Sequence, residues 1–422
     1  MVQISIRKQI SLKKLFCLLV LSLLLTCCSS VNLSTPTLTK TPPTATLTSA
    51  PTVTVSYTPS PSPSAETNLC LNKFSTLPSG VALPGKLVFS LTTNLSILDF
   101  KQNSKREVNG HNSGAAVSPD GKWLSYFHLA DAELTVESAD GQVKARIPAN
   151  TDWLTLLDGG TPWLDNENLW ISTWPDIEKG QSAPVVIINP FTGKQQKLLS
   201  NYPGLERYPG GMMNDPGLHF IYSSVSYNPS LEMVAYPEVT KDGDAYITLL
   251  DRQSGKVLAK ILDGGLYGYF PLWLPGGSQF VVPAQPSQNG PREWMMVSRD
   301  GTVKQLTHFQ RLYRKNFEIG SYYSVSPDGN YLAFGLSRNE DTDSSEPKQL
   351  MILNLKTLDV TNLCVSYFYP RPVWSPDSQY LIVKTLVDRN PSAIVAINLQ
   401  DKWIADLPED PEADPVGWLK VP

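Results

Sequence analysis

VSPDGKWLSYF (117–127), VSPDGNYLAF (325–334) and VWSPDSQYLIV (373–383) are three copies of one pattern. Weaker copies stand between them: WLDNENLWIST (163–173), VSYNPSLEMVAY (225–236) and LWLPGGSQFVV (272–282). Each is a short apolar run, a turn rich in Pro, Asp, Asn or Gly, and a second run of alternating character. That is a β-hairpin expressed in turn chemistry. Further strand-like runs follow each hairpin, so the repeating unit is four strands long. Units recurring every ~45–60 residues describe a ring of small sheets, a propeller, in which one unit alone cannot bury its apolar face.

The bulk composition agrees with that reading. The chain has 422 residues, enough for one propeller, and its Pro and Gly are scattered throughout. No segment from 67 onward carries a long 3.6-residue apolar period, so few helices are expected. With 35 basic and 39 acidic residues the net charge is −4. A mildly acidic body argues against nucleic acid as a partner, because phosphate binding needs a basic surface.

The N-terminus reads as an export signal. Arg7, Lys8, Lys13 and Lys14 precede the apolar run LFCLLVLSLLL (15–25), and Cys27 and Cys28 follow it. The run is too short for a span of ~20 residues and fits a secretory signal. A Cys at this place resembles a bacterial lipoprotein signal, in which that Cys is lipidated. The pattern departs at the residue before the Cys, which is Thr26 or Cys27 where Gly, Ala or Ser is usual. Cysteine parity favours Cys28, with Cys27 as the alternative. Cleavage before Cys28 leaves Cys70 and Cys364 as a pair, and in an oxidising compartment these are expected to form a disulfide. The expected organisation is a signal at 1–27, a disordered tether at 28–66 and a propeller at 67–422. In residues 29–66, 25 of 38 are Ser, Thr or Pro. Such a segment buries too little apolar surface to offset its ordering entropy.

Counting first strands of the units gives seven blades, with six or eight as alternatives. KLVFSL (86–91), LSILDF (95–100) and KREV (105–108) make only three strands before the first full copy, and PVGWL (415–419) has no later partner. The two are expected to complete one blade between them.

The three best copies resemble the TolB-type, WD-repeat-like propeller repeat, over most of 84–420. The resemblance implies an all-β propeller of four-stranded blades. It says little of activity, since the family includes periplasmic binding and scaffold proteins and propellers attached to serine peptidases. Pro119, Pro327 and Pro376 set φ for the turn, Asp120, Asp328 and Asp377 cap turn N–H groups, and Gly121 and Gly329 supply positive φ. Trp123, Tyr331 and Tyr380 are expected to pack between blades.

Chemistry is thinly represented. No Gly-x-Ser-x-Gly occurs. His111, His128, His219 and His308 are not at ligand spacing and there is no Cys-x-x-Cys. The acidic run at 339–346 lacks the Gly of a compact calcium loop and reads as a solvated hairpin loop. No metal and no cofactor are expected. The functional lead is aromatic. Tyr208, Tyr267, Tyr269, Tyr313, Tyr322 and Tyr369, with Arg311 and Arg371, lie in loops that enter first strands and so share one face of a propeller. Tyr with Arg is the composition of contact surfaces. The expectation is an exported, membrane-tethered, monomeric binding or scaffold protein of the cell envelope, with an envelope protein or glycan as partner. The alternative is an extracytoplasmic enzyme acting on glycans or peptides at the propeller channel.

Overall fold

The computed structural model describes residues 57–58, 66–91, 94–110, 112–128, 131–148, 163–172, 185–198, 226–239, 244–263, 270–288, 290–313, 317–338, 348–367, 370–387 and 390–420. The expected signal, Cys27 and Cys28 lie outside these residues.

Three short strands come first, β1 (Tyr57–Thr58), β2 (Thr67–Asn68) and β3 (Asn72–Phe74). Antiparallel groups follow in chain order. β4 (Lys86–Ser90), β5 (Leu95–Asp99) and β6 (Ser104–Val108) form one, and β7 (Asn112–Val117), β8 (Trp123–His128), β9 (Glu133–Ser138) and β10 (Val143–Pro148) the next. β11 (Leu169–Ser172), β12 (Val185–Ile188) and β13 (Gln195–Leu198) make a sheet that Trp163 joins through a bridge to Leu169. Then come β14 (Ser226–Tyr227), β15 (Met233–Val239), β16 (Ala245–Asp251) and β17 (Val257–Leu262), followed by β18 (Leu272–Trp273), β19 (Gln279–Ala284), β20 (Glu293–Ser298) and β21 (Val303–Gln305). A short helix, α1 (Phe309–Tyr313), leads into β22 (Glu318–Val325), β23 (Tyr331–Ser337), β24 (Lys348–Asn354) and β25 (Val360–Tyr367). The next group is β26 (Val373–Trp374), β27 (Tyr380–Val387), β28 (Asn390–Asn398) and β29 (Trp403–Asp406), joined to β25 through one pair, Tyr367 opposite Thr385.

The last strand, β30 (Asp414–Leu419), pairs antiparallel with β4, Trp418 opposite Leu87 and Leu419 opposite Lys86. One four-stranded sheet is therefore built from both ends of the body. The first strands face one another: β30 lies against β7 and β26, and β26 against β22.

The repeated turns are closed by one device. Ser118 donates to Asp120 at 2.8 Å and accepts from the Trp123 amide at 3.0 Å, while Asp120 accepts from the Lys122 amide. Ser326 with Asp328, and Ser375 with Asp377, repeat every bond. In the worn copy at 228, Asn228 does both jobs, accepting from the Met233 amide and donating to Ser230. Gly121 and Gly329 hold φ of 75° and 71°, and in the third copy Ser378 takes the same region at 61°.

Apolar side chains fill the space between successive sheets. Met233, Leu249 and Ile261 meet Phe280, Val297 and Val303. Ile382, Ile394 and Trp403 meet Leu87, Phe89 and Trp418. Each such side chain contributes roughly 1.5–3 kcal/mol on burial. Trp123 packs on Phe191 of the following sheet at 4.8 Å and Tyr331 on Trp374 at 6.1 Å, while Tyr380 meets Trp403 of its own sheet. A second inter-sheet device was not expected from the sequence. The indole N–H groups of Trp163, Trp273 and Trp374 each donate to a carbonyl on the first strand of the preceding sheet, at Ala116, Ser226 and Ser324.

The N-terminal strands form a belt. β1 adds in parallel to β21, β2 to β25 and β3 to β29, each the outermost strand of its sheet. Glu66 pairs with Arg338, and Leu69 and Leu71 pack on the core beneath. Cys70 and Cys364 are joined by a disulfide, with Cα atoms 5.0 Å apart. Cys364 sits where the register of β24 with β25 shifts, at φ 59°, which turns its side chain out of the ladder. Tyr57, Thr58 and Glu66, from the stretch expected as tether, take part in this belt. An outer strand offers backbone donors and acceptors to any extended segment, so a count of Ser, Thr and Pro does not register the contact.

Candidate functional site

Of the residues singled out as a binding face, Tyr208, Tyr267, Tyr269 and Tyr369 lie outside the described residues. The other four fall into two groups. Tyr313 and Arg311 are on α1. Tyr322 and Arg371 stand where chain enters first strands.

The helix group is built on a buried carboxylate. Glu293 at the start of β20 accepts from Thr307 Oγ1 at 2.7 Å and from the amides of Phe309 and Gln310 at 2.9 and 2.8 Å. It caps α1 from another element, and burial pushes its pKa up. Tyr313 is half-buried against Phe309 and Phe317, and the Arg338 guanidinium lies 5.1 Å from its ring. Arg311 is exposed. His308 lies beneath, its pKa lowered by burial and by the Arg311 charge.

The entrance group is braced more tightly. β22 loses register with β23 between Ile319 and Tyr323. A bulge of this kind re-aims side chains; here Tyr322 is 38% exposed and Tyr323 1%. The Tyr323 hydroxyl donates to the Phe270 carbonyl and accepts from the Phe270 amide, both at 2.6 Å. The Tyr367 hydroxyl, fully buried and with its pKa pushed up by burial, donates to the Tyr322 carbonyl. Arg371 lies 5.5 Å over the Phe270 ring. Burial lowers its pKa, with Tyr323 and Tyr322 nearby acting the other way. Tyr323 and Tyr367 are thus supports, and Tyr322 and Arg371 are the groups presented. Phe270 belongs to the aromatics that the sequence places in loops entering first strands, and here it is the platform for Arg371. No chain-local signal marks that pairing, because the contact joins residues on different sheets.

Besides Glu293, one more carboxyl has its pKa raised, and it is structural in placement. Asp263, just after β17, is pushed up to about 6 by burial, against the pull of Arg292 at 3.4 Å. A carboxyl whose folded pKa exceeds its unfolded one stabilises the fold below the unfolded pKa and loses that contribution as pH rises through the folded one. Stability should therefore fall by on the order of 3 kcal/mol between about pH 4 and pH 6 on this account. Asp263→Asn should abolish that fall, so the melting temperature of the variant relative to wild type should climb from pH 4 to pH 7. A difference that is flat with pH would show that Asp263 does not titrate in this way. Among the described residues no group of three or more His, Cys, Asp or Glu could hold a metal ion.

No protein-family model matches the chain, and no curated protein matches it. Solved structures do. TolB from Acinetobacter baumannii is 14% identical with a TM-score of 0.41, the match covering 79% of this chain and 66% of that one. The Cps50 (Swd1) β-propeller domain of Myceliophteria thermophila is 11% identical with a TM-score of 0.45, covering 75% and 97%. Oligogalacturonate lyase in complex with manganese is 11% identical with a TM-score of 0.50, covering 77% and 85%. At these identities the likeness bears on fold alone. The succession of sheets described above, with their first strands facing one another, makes this chain an all-β protein of β-propeller fold.

Proposed function

We propose that the chain is an exported, membrane-tethered β-propeller of TolB type that binds a partner at the entrance to its first strands and performs no chemistry. The observation that carries this is the entrance group. Tyr322 and Arg371 come from different sheets and are held by two buried tyrosines whose hydroxyls bind backbone. Bracing of that kind lowers the ordering cost of a contact surface. The two acids with raised pKa support a non-catalytic reading, since Glu293 is committed to α1 and Asp263 to Arg292. Seven blades is the count we infer, with Trp163 standing as the first strand of the β11–β13 sheet.

Export is supported by the basic and apolar N-terminus and by the exposed Cys70–Cys364 disulfide, which suits an oxidising compartment. Cys28 is the proposed lipid site, residues 28–56 the tether, and an envelope protein or glycan the partner of a monomer. Tyr322→Ala should cut capture of a partner from envelope extract severalfold and change the melting temperature little, because Tyr322 is 38% exposed and stands outside the buried clusters. Equal loss of stability and capture would make Tyr322 a packing residue. In the same strain background, Cys28→Ser should move the chain out of the membrane fraction, and retention there would remove the lipid anchor.

A further inference from the structure

The sequence contains two Asn-Gly dipeptides, Asn109–Gly110 and Asn289–Gly290. Their glycine amides differ. Gly290 donates its N–H to the Ser287 carbonyl at 3.0 Å. In the Asp-Gly turns at 120, 140, 300 and 328 the glycine amide is held in the same way, by the carbonyl three residues before it. Gly110 is the exception. Among the described residues its amide donates to nothing, and the Asn109 side chain before it is exposed and makes no hydrogen bond.

That amide nitrogen is a nucleophile poised one five-membered ring away from the Asn side-chain carbonyl, so the attack is intramolecular. A glycine leaves the approach open, having no Cβ. A hydrogen bond donated by the nitrogen holds it in its turn and must break first. Position 110 is also bound to be glycine. Its φ is 123°, and a Cβ there would collide with His128 Nε2. The fold thus fixes one half of a reactive pair, and the exposed end of β6 supplies the other.

We propose that Asn109 is a covalent modification site, converted without an enzyme to aspartate and isoaspartate. The Gly110 nitrogen bonds to Asn109 Cγ, the Cγ–Nδ2 bond breaks, and Nδ2 leaves as ammonia with the proton that the Gly110 nitrogen gives up. Water then opens the succinimide at one carbonyl or the other. Isoaspartate carries the main chain through Cγ, so the link from β6 to β7 gains one carbon and a carboxylate. That link joins the sheet completed by β30 to the sheet that follows it. The chemistry is independent of the binding face.

The test is peptide mass mapping of the full chain held in warm, mildly alkaline buffer, native and in urea, with aspartate and isoaspartate separated by chromatography. The rate at Asn109 relative to Asn289 should be about fivefold higher in the native chain than in urea, the factor that one ordinary backbone hydrogen bond supplies. Urea frees both amides, so it isolates the effect of the neighbouring residues. Asn109→Gln, which would need a six-membered ring, should remove the product at 109 and leave that at 289. A native ratio no higher than in urea, or no conversion at 109 in the native chain, would overturn the proposal. Product kept in that peptide of Asn109→Gln would assign it to another residue and overturn it as well. The comparison of native chain with urea uses only wild-type protein, so it holds even if the variant misfolds.

Discussion

Removing residues 415–422 should abolish cooperative unfolding and send the protein into aggregates. The deletion takes away most of β30, and with it Trp418 and Leu419, which are 3% and 0% exposed. It also removes the contact of Gly417 with Val117 and the bond from the Lys420 amide to the Gly121 carbonyl, which tie this sheet to the next. Losing the two large side chains alone costs about 5–10 kcal/mol by analogy with large-to-small core changes. That is comparable with the whole stability of a typical domain. What remains is the edge of β4, whose central residues Leu87, Val88 and Phe89 are otherwise 0% exposed, a template for pairing with other chains. Scanning calorimetry checks this. A truncated chain with an unchanged single transition would mean that the pairing of β30 with β4 contributes nothing essential.

Replacing Cys70 and Cys364 together by Ser should be the next largest effect. The bond spans 294 positions of sequence, and in the chain-entropy model a loop of that size is worth about 5 kcal/mol. For a body of this length that is a fall of roughly 5–8 °C in melting temperature. The double variant, measured beside wild type with and without dithiothreitol, should match reduced wild type. If reduction and substitution both leave the melting temperature in place, the belt is held by its strand pairs and by Glu66 alone.

The parts of the fold that were legible are those written in local side-chain chemistry. Ser118 and Asp120, and their counterparts at 326, 328, 375 and 377, close turns within six residues of sequence, and the sequence displays them three times. The seam of β30 with β4 could be read from an unfinished first group and a surplus last strand. The belt could not, because parallel addition to β21, β25 and β29 uses backbone groups that every residue type carries. The site was half legible. Composition marked the Tyr and Arg of the entering loops, but not which of them are supports. Tyr322 and Tyr323 are neighbours in one strand, and a register shift together with Phe270, 53 positions away, decides which ring is presented. Glu293 was invisible for the same reason, since its three donors come from residues 307 to 310.

The belt also determines how a mechanical load would travel through the molecule. A pull arriving along the chain from its N-terminal side meets β1 first, held by two residue pairs, then Glu66 on Arg338, then β2. These contacts are weak singly and would yield in turn, each releasing a little slack. Extension stops at Cys70, where the force leaves the main chain through the sulfur bridge and enters β25. Without that bridge it would run on through β3 and reach β4, the strand that carries the seam between the two ends of the body. The bridge therefore acts as a stop that keeps tension off the joint between the first and last sheet strands of the body.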